Sequence, residues 1–153
     1  MKYSVDTSAI IEGWIRDFPP DVAPHAWMQI EESIDDGVLV ASEEVLVELE
    51  KKHDKVHEWA CQRQHMFVTT DEKIQEAVKS ILRNHKKLID TRTNRSGADP
   101  FVIALALVER LSVVTAERLS SSLGRPKIPD VCEALGIRWL NMVELFREQG
   151  WHF

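Results

Sequence analysis

This chain is poor in the features that would send it out of the cell, into a membrane or onto a nucleotide. Its two cysteines, Cys61 and Cys132, stand far apart among 153 residues. That excludes a disulfide framework, and both read as reduced thiols of a cytosolic protein. The N-terminus carries a single Lys and no long apolar run, so no secretory segment is expected. The longest apolar stretch, Phe101 to Val108, is too short to span a bilayer. The six glycines are scattered, and Gly124-Arg125-Pro126-Lys127 fits no nucleotide motif, so no phosphate-cradling loop is expected. Positive charge is also scarce, with 19 basic against 25 acidic residues and a formal net charge of −6. That balance argues against non-specific coating of nucleic acid. It leaves room for an enzyme that gathers carboxylates at a metal site and keeps basic residues on one rim. There is no internal repeat and no low-complexity linker, and the length suits one domain, residues 1–153, with a substantial core.

What is present is an alternation of strand and helix signals. Residues 2–6 read as a strand, with Tyr3 and Val5 as strand formers. A helix over 7–16 follows at once, with Thr7 and Ser8 as N-cap formers and Ala9, Ile10, Trp14 and Ile15 at helical spacing. A Pro-rich loop covers 17–24, a second helix 25–36, and a short buried strand 38–41. Ser42-Glu43-Glu44 caps a helix to about residue 52, and another is expected over about 54–66. Thr70-Asp71 opens a helix with Ile74, Val78, Ile81 and Leu82 on its buried stripe. Residues 96–111 form a strongly apolar helix, 112–115 a strand, and 118–127 a polar loop. Pro129 opens a short helix, 137–140 is a strand, and Asn141 caps the last helix. Such alternation predicts an α/β fold, a parallel sheet wrapped by helices.

Four acids occupy distinctive places on that map. Asp6 ends the first strand, where open parallel sheets bind ligands; a helix cap is its competing reading. Glu48 is embedded in the apolar helix Glu44-Val45-Leu46-Val47-Glu48-Leu49, unless it lies on that helix's solvated side. Asp99, before Pro100, starts the most apolar helix and is also a good N-cap. Glu117 follows the strand Val113-Val114-Thr115 and should reach the same sheet edge. Clustered carboxylates repel one another unless a cation holds them. Oxygen ligands with few histidines suit Mg²⁺ or Mn²⁺, which activate water and stabilise phosphoryl displacement.

The ordered set Val5-Asp6-Thr7-Ser8-Ala9-Ile10, Val45-Leu46-Val47-Glu48-Leu49, Ala98-Asp99-Pro100-Phe101-Val102-Ile103-Ala104-Leu105-Ala106 and Val113-Val114-Thr115-Ala116-Glu117 resembles the PIN-domain ribonucleases over about residues 2–145. The ending Ile128-Pro129-Asp130-Val131-Cys132 through Asn141 is similar to one uncharacterised branch of that superfamily. The resemblance implies a three-layer α/β/α fold with a central parallel sheet and Mg²⁺- or Mn²⁺-dependent cleavage of RNA phosphodiesters. It further implies a homodimer and, as for many members, the toxin role in a toxin–antitoxin pair with an antitoxin protein as partner. By position it makes Asp6 and Asp99 metal ligands and has Glu48 complete the acidic cluster, directly or through water. Glu117 stands where the family usually has an aspartate, so its oxygens lie one methylene further out. Asp130 is a candidate for the missing charge, although an acid in a helix's first turn also suits the helix dipole. Thr7, Ser8 and Thr115 are candidates for holding the carboxylates or bound waters; for Ser8, capping or strand-end bonding is the preferred role.

Two basic stretches offer phosphate contacts: Arg83, Lys86, Lys87, Arg92 and Arg95 before Asp99, and Arg118, Arg125 and Lys127 after Glu117. The first equally fits a solvated helix end. His53, His57, Cys61 and His65 recur every four residues, but the row drifts by about 40° per step on a helix and cannot converge on one zinc ion, so a polar stripe is expected. The tryptophans read as core residues, with Trp151 a candidate for an interface. Two functions compete with a ribonuclease. One is phosphoester hydrolysis through an aspartyl-phosphate on Asp6, which calls for a second acid two residues on, where this chain has Ser8. The other is a binding module that has lost catalysis.

Overall fold

The computed structural model describes residues 1–88, 97–120 and 126–152. The chain begins in the middle of its sheet. Strand β1 (Tyr3–Val5) is fully buried and leads within one residue into helix α1 (Thr7–Glu12). The expected helix over 7–16 changes character there, because Gly13–Asp17 continue as a π-turn. Helix α2 (Pro24–Asp35) buries Trp27, Ile30 and Ile34, as their spacing predicts. Gly37, at φ 73°, then takes the left-handed conformation that lets the chain reverse into strand β2 (Leu39–Ser42). Helix α3 (Glu43–Lys52) starts under a Ser42 cap, whose side chain accepts the Glu44 N–H.

Residues of the 54–66 segment split into helix α4 (Asp54–Cys61) and a 3₁₀ turn, Gln64–Met66. They deliver the chain to strand β3 (Phe67–Val68), a two-residue element that periodicity does not reveal. Helix α5 (Glu72–Asn84) is capped by Asp71, which accepts the Ile74 N–H at 2.9 Å. Helix α6 (Asp99–Glu109) runs through the core, with Val102, Ile103, Ala104, Leu105 and Ala106 all buried. Strand β4 (Ser112–Val114), helix α7 (Ile128–Leu135), strand β5 (Trp139–Leu140) and helix α8 (Met142–Gln149) complete the described elements.

The five strands are all parallel, in the order β3-β2-β1-β4-β5. The expected α/β class with a central parallel sheet is therefore what forms. From β1 the chain winds outward to β2 and β3, then returns to β1's other side for β4 and β5. The winding reverses between β1 and β4, so their C-terminal ends border a topological switch point, where open α/β sheets form a ligand crevice. The register pairs Val5 with Val114, which brings the residues after both strands side by side. Helix α6 is fixed against β1 by the buried Ser4 hydroxyl, which donates to the Val102 carbonyl at 3.0 Å. Each fully buried Leu or Ile stabilises the packing by about 1.5–3 kcal/mol. Leu105→Ala would cost about 2–5 kcal/mol at a position with no exposed surface.

Three tryptophans pack mutually beneath α2: Trp14 and Trp27 at 5.0 Å between ring centroids, Trp27 and Trp59 at 5.1 Å. Trp151 lies edge-on to Phe146 at 4.9 Å, so it packs within the chain. The four-residue row of His and Cys splits into separate tasks. His53 Nδ1 caps α4 by accepting the Val56 N–H, His57 touches Cys61, and His65 pairs with Asp35. Both cysteines are free thiols, Cys61 exposed and Cys132 buried. Among the described residues, no helix is long and apolar enough to cross a membrane.

Candidate metal centre

Three carboxylates meet at the switch point. Asp6, Asp99 and Glu117 each offer an oxygen, and these lie within 4.8 Å of one another. Asp6 and Asp99 are buried and Glu117 is half-buried. Each is delivered by a different element: Asp6 by the end of β1, Asp99 by the first residue of α6, Glu117 by the chain leaving β4. Among the described residues this is the one group of His, Cys, Asp and Glu side chains placed to share an ion.

Asp6 occupies the N-cap position of α1, yet its carboxylate takes no capping hydrogen bond. Its Oδ2 instead accepts two hydroxyls, from Ser8 at 2.5 Å and from Thr115 at 2.9 Å. Both hydroxyls are held by the backbone after β4: Ser8 Oγ accepts the Ala116 N–H at 3.0 Å, and Thr115 Oγ1 accepts the Glu117 N–H at 3.1 Å. The two hydroxyls therefore tie the end of β1 to the end of β4 through one carboxylate oxygen. Ser8 thus has the expected strand-end bond, to Ala116, and holds the Asp6 carboxylate as well. Thr7 does not share the task; its Oγ1 is buried and finds no hydrogen-bond partner among the described residues.

Burial raises the Asp6 pKa to about 6, and the nearby Glu117 and Glu48 carboxylates push it the same way, against the pull of the Ser8 and Thr115 hydroxyls. The same field reaches Cys132, whose thiol is pushed up to about 12, first by burial and then by the charge of Asp6 and Glu133. Neither cysteine position nor spacing signals that Cys132 lies near the acids. Helix α7 brings it there.

Asp99 is the first residue of α6 rather than its cap; Ala98 takes the cap position and Pro100 the second helical one. Glu48 stands outside the trio. Its Oε2 accepts the Ala98 N–H at 3.1 Å and its Oε1 pairs with Lys52 at 3.1 Å. It is neither on the solvated face nor among the three convergent oxygens. Its carboxylate fixes the residue just before Asp99. Glu117 reaches in a second direction, with Oε1 accepting the Ile128 N–H at 3.2 Å. Asp130 lies outside the trio as well. It accepts the Ser120 hydroxyl at 2.7 Å, the Lys127 N–H at 2.7 Å and the Ser120 N–H at 3.2 Å. Burial pushes its pKa up, but the Lys127 and Ser120 donors outweigh that and hold it below the usual carboxylate range. Arg118 and Lys127 are exposed. Arg92, Arg95 and Arg125 lie outside the described residues.

The donor set fits a hard divalent cation. It is made of oxygen alone, which suits Mg²⁺ or Mn²⁺ over zinc. The offered oxygens lie within 4.8 Å of one another, so Asp6, Asp99 and Glu117 are the residues that would hold such an ion. A cation there would also relieve the repulsion that raises Asp6. A comparison with curated proteins returns no match. The family described as Domain of unknown function (DUF4411) matches residues 3–153, and the chain belongs to it.

Proposed function

We propose that this chain is a metal-dependent endoribonuclease on a PIN-like fold, with Asp6, Asp99 and Glu117 as the ligands of Mg²⁺ or Mn²⁺. The observation that carries the reading is the convergence of these three carboxylates within 4.8 Å at the switch point of a parallel sheet. The ordered resemblance to PIN-domain ribonucleases supplies the substrate class, RNA phosphodiesters. When bound, the ion supplies a water of lowered pKa and compensation for the negative charge that builds on the phosphate.

The chain's own residues prepare that site. Asp6 turns one oxygen to the Ser8 and Thr115 hydroxyls, which fixes the orientation of the other. Glu48 steadies Ala98 and thereby the start of α6. Arg118 and Lys127, with Arg92, Arg95 and Arg125, are the cations proposed to hold the RNA backbone. A homodimer and an antitoxin partner belong to the same reading. The aspartyl-phosphate alternative loses ground because Ser8, where a second acid is needed, donates its hydroxyl to Asp6.

The test is cleavage of single-stranded RNA by purified protein with Mg²⁺ or Mn²⁺. Asp6→Asn and Asp99→Asn should each abolish it while the circular dichroism spectrum stays the same, and EDTA should abolish it in the wild type. Undiminished activity in EDTA, or full activity of both variants, would sink the reading. Ion binding without cleavage would favour the binding module, and turnover of small phosphomonoesters without RNA cleavage the phosphatase.

A further inference from the structure

Glu117 departs from the aspartate usual at its position in the resembled family, and its surroundings give that extra methylene a use. The residue is held at both ends. Its backbone N–H donates to Thr115 Oγ1 at 3.1 Å, and that hydroxyl donates to Asp6 at 2.9 Å. Its side chain contributes an oxygen to the group with Asp6 and Asp99, and its Oε1 also accepts the Ile128 N–H at 3.2 Å. Ile128 is the first residue of α7. An N–H at that position has no partner inside its own helix. An aspartate, shorter by one carbon–carbon bond of about 1.5 Å, could not serve α7 and the carboxylate trio from the same backbone position.

We infer that Glu117 is a coupling residue, whose carboxylate docks the start of α7 onto the metal centre so that ion binding and α7 docking stabilise each other. This rests on the ion-binding reading of the site. Coupling of this kind is reciprocal: whatever docking contributes to ion affinity, the ion returns to docking. The consequence for substrate is spatial. Arg118 follows Glu117 and Lys127 precedes Ile128, both exposed, so the Glu117–Ile128 bond joins the two backbone stretches that carry these cations. Glu117 thereby acts as a positioning residue for a phosphate-binding rim as well as a ligand. Asp130 supports the same junction by joining Ser120 to Lys127.

Hydrogen exchange at the Ile128 amide, read by NMR with and without Mg²⁺ alongside calorimetric Mg²⁺ titration, tests the coupling. In the wild type, Mg²⁺ should bind and slow Ile128 exchange. In Glu117→Asp, which keeps the charge and shortens the arm, ion-free exchange at Ile128 should rise about tenfold and Mg²⁺ should no longer slow it. In Glu117→Gln, which keeps an acceptor and loses the charge, ion-free protection should persist while Mg²⁺ affinity falls at least tenfold, in line with a lost ligand charge. Equal Ile128 exchange in the wild type and Glu117→Asp, with Mg²⁺ slowing both alike, would overturn the coupling and leave the ion site standing. No Mg²⁺ binding by the wild type would overturn the ion site and the coupling together.

Discussion

Asp6 and Asp130 stand at the starts of two helices, and the protein treats them in opposite ways. Asp130 is surrounded by donors: two backbone N–H groups and the Ser120 hydroxyl. Its charge is satisfied, and its pKa is low. Asp6 is buried, caps no N–H of α1, and faces other carboxylates, so its pKa rises to about 6. A carboxylate that its neighbours satisfy is part of the scaffold. One that is buried among its own kind keeps its proton to a higher pH, and a bound cation would compete with that proton. Asp6 stands at the N-cap position of α1 without capping it, and its carboxylate joins the acidic cluster instead.

Several substitutions break or sharpen this contrast. The largest effect belongs to the trio. Asp6→Asn and Asp99→Asn should each lower Mn²⁺ affinity by more than about a hundredfold in calorimetry, exceeding what loss of an outer-layer hydrogen bond costs. Thr115→Val removes both a donor to Asp6 and the acceptor of the Glu117 N–H. It should lower Mn²⁺ affinity by about 10–100-fold, and Thr115→Ser should restore most of it.

Acid titration should separate the two aspartates by sign. The folded pKa of Asp6 lies above its ordinary value of 3.8, so the folded state binds the extra proton. Ion-free stability should therefore fall as pH rises from about 4 to 6, by about 3 kcal/mol at most from this group, and then level off. Asp6→Asn should flatten that slope in urea unfolding, and Mn²⁺ should restore stability chiefly above pH 6, where the ligand is charged. Asp130 acts the other way. Its stabilisation is complete above its ordinary carboxylate pKa and is lost as pH falls through the lower folded value. The smallest effect on the site is that of Asp130→Ala. It should cost about 1–2 kcal/mol in urea unfolding and leave wild-type Mn²⁺ affinity nearly unchanged.

Much of this was legible in the sequence because much of it is local. Strand β1, Asp6 and α1 follow one another without a gap, and the apolar run of α6 announces itself. The order of Asp6, Asp99 and Glu117 along alternating strands and helices sufficed to bring them to one sheet edge. What escaped depends on contacts across the chain. Strand β3 has two residues, too few for a period. Ser8 shows a cap former's local pattern, but its backbone partner, Ala116, is 108 residues away. Glu48 lies half-buried beside the apolar Val45 and Leu49; only the approach of Ala98 reveals what its carboxylate holds. The sequence position of Asp130 suits site and scaffold equally, and only the fold brings Ser120 and Lys127 to donate to it.

The most direct test of the central claim is a crystal grown with Mn²⁺ and examined by anomalous diffraction at the manganese edge. A peak bounded by the oxygens of Asp6, Asp99 and Glu117, and absent from crystals of Asp6→Asn, is the predicted result. A well-ordered wild-type site with no manganese between those carboxylates, at Mn²⁺ concentrations that saturate any activity, would contradict it.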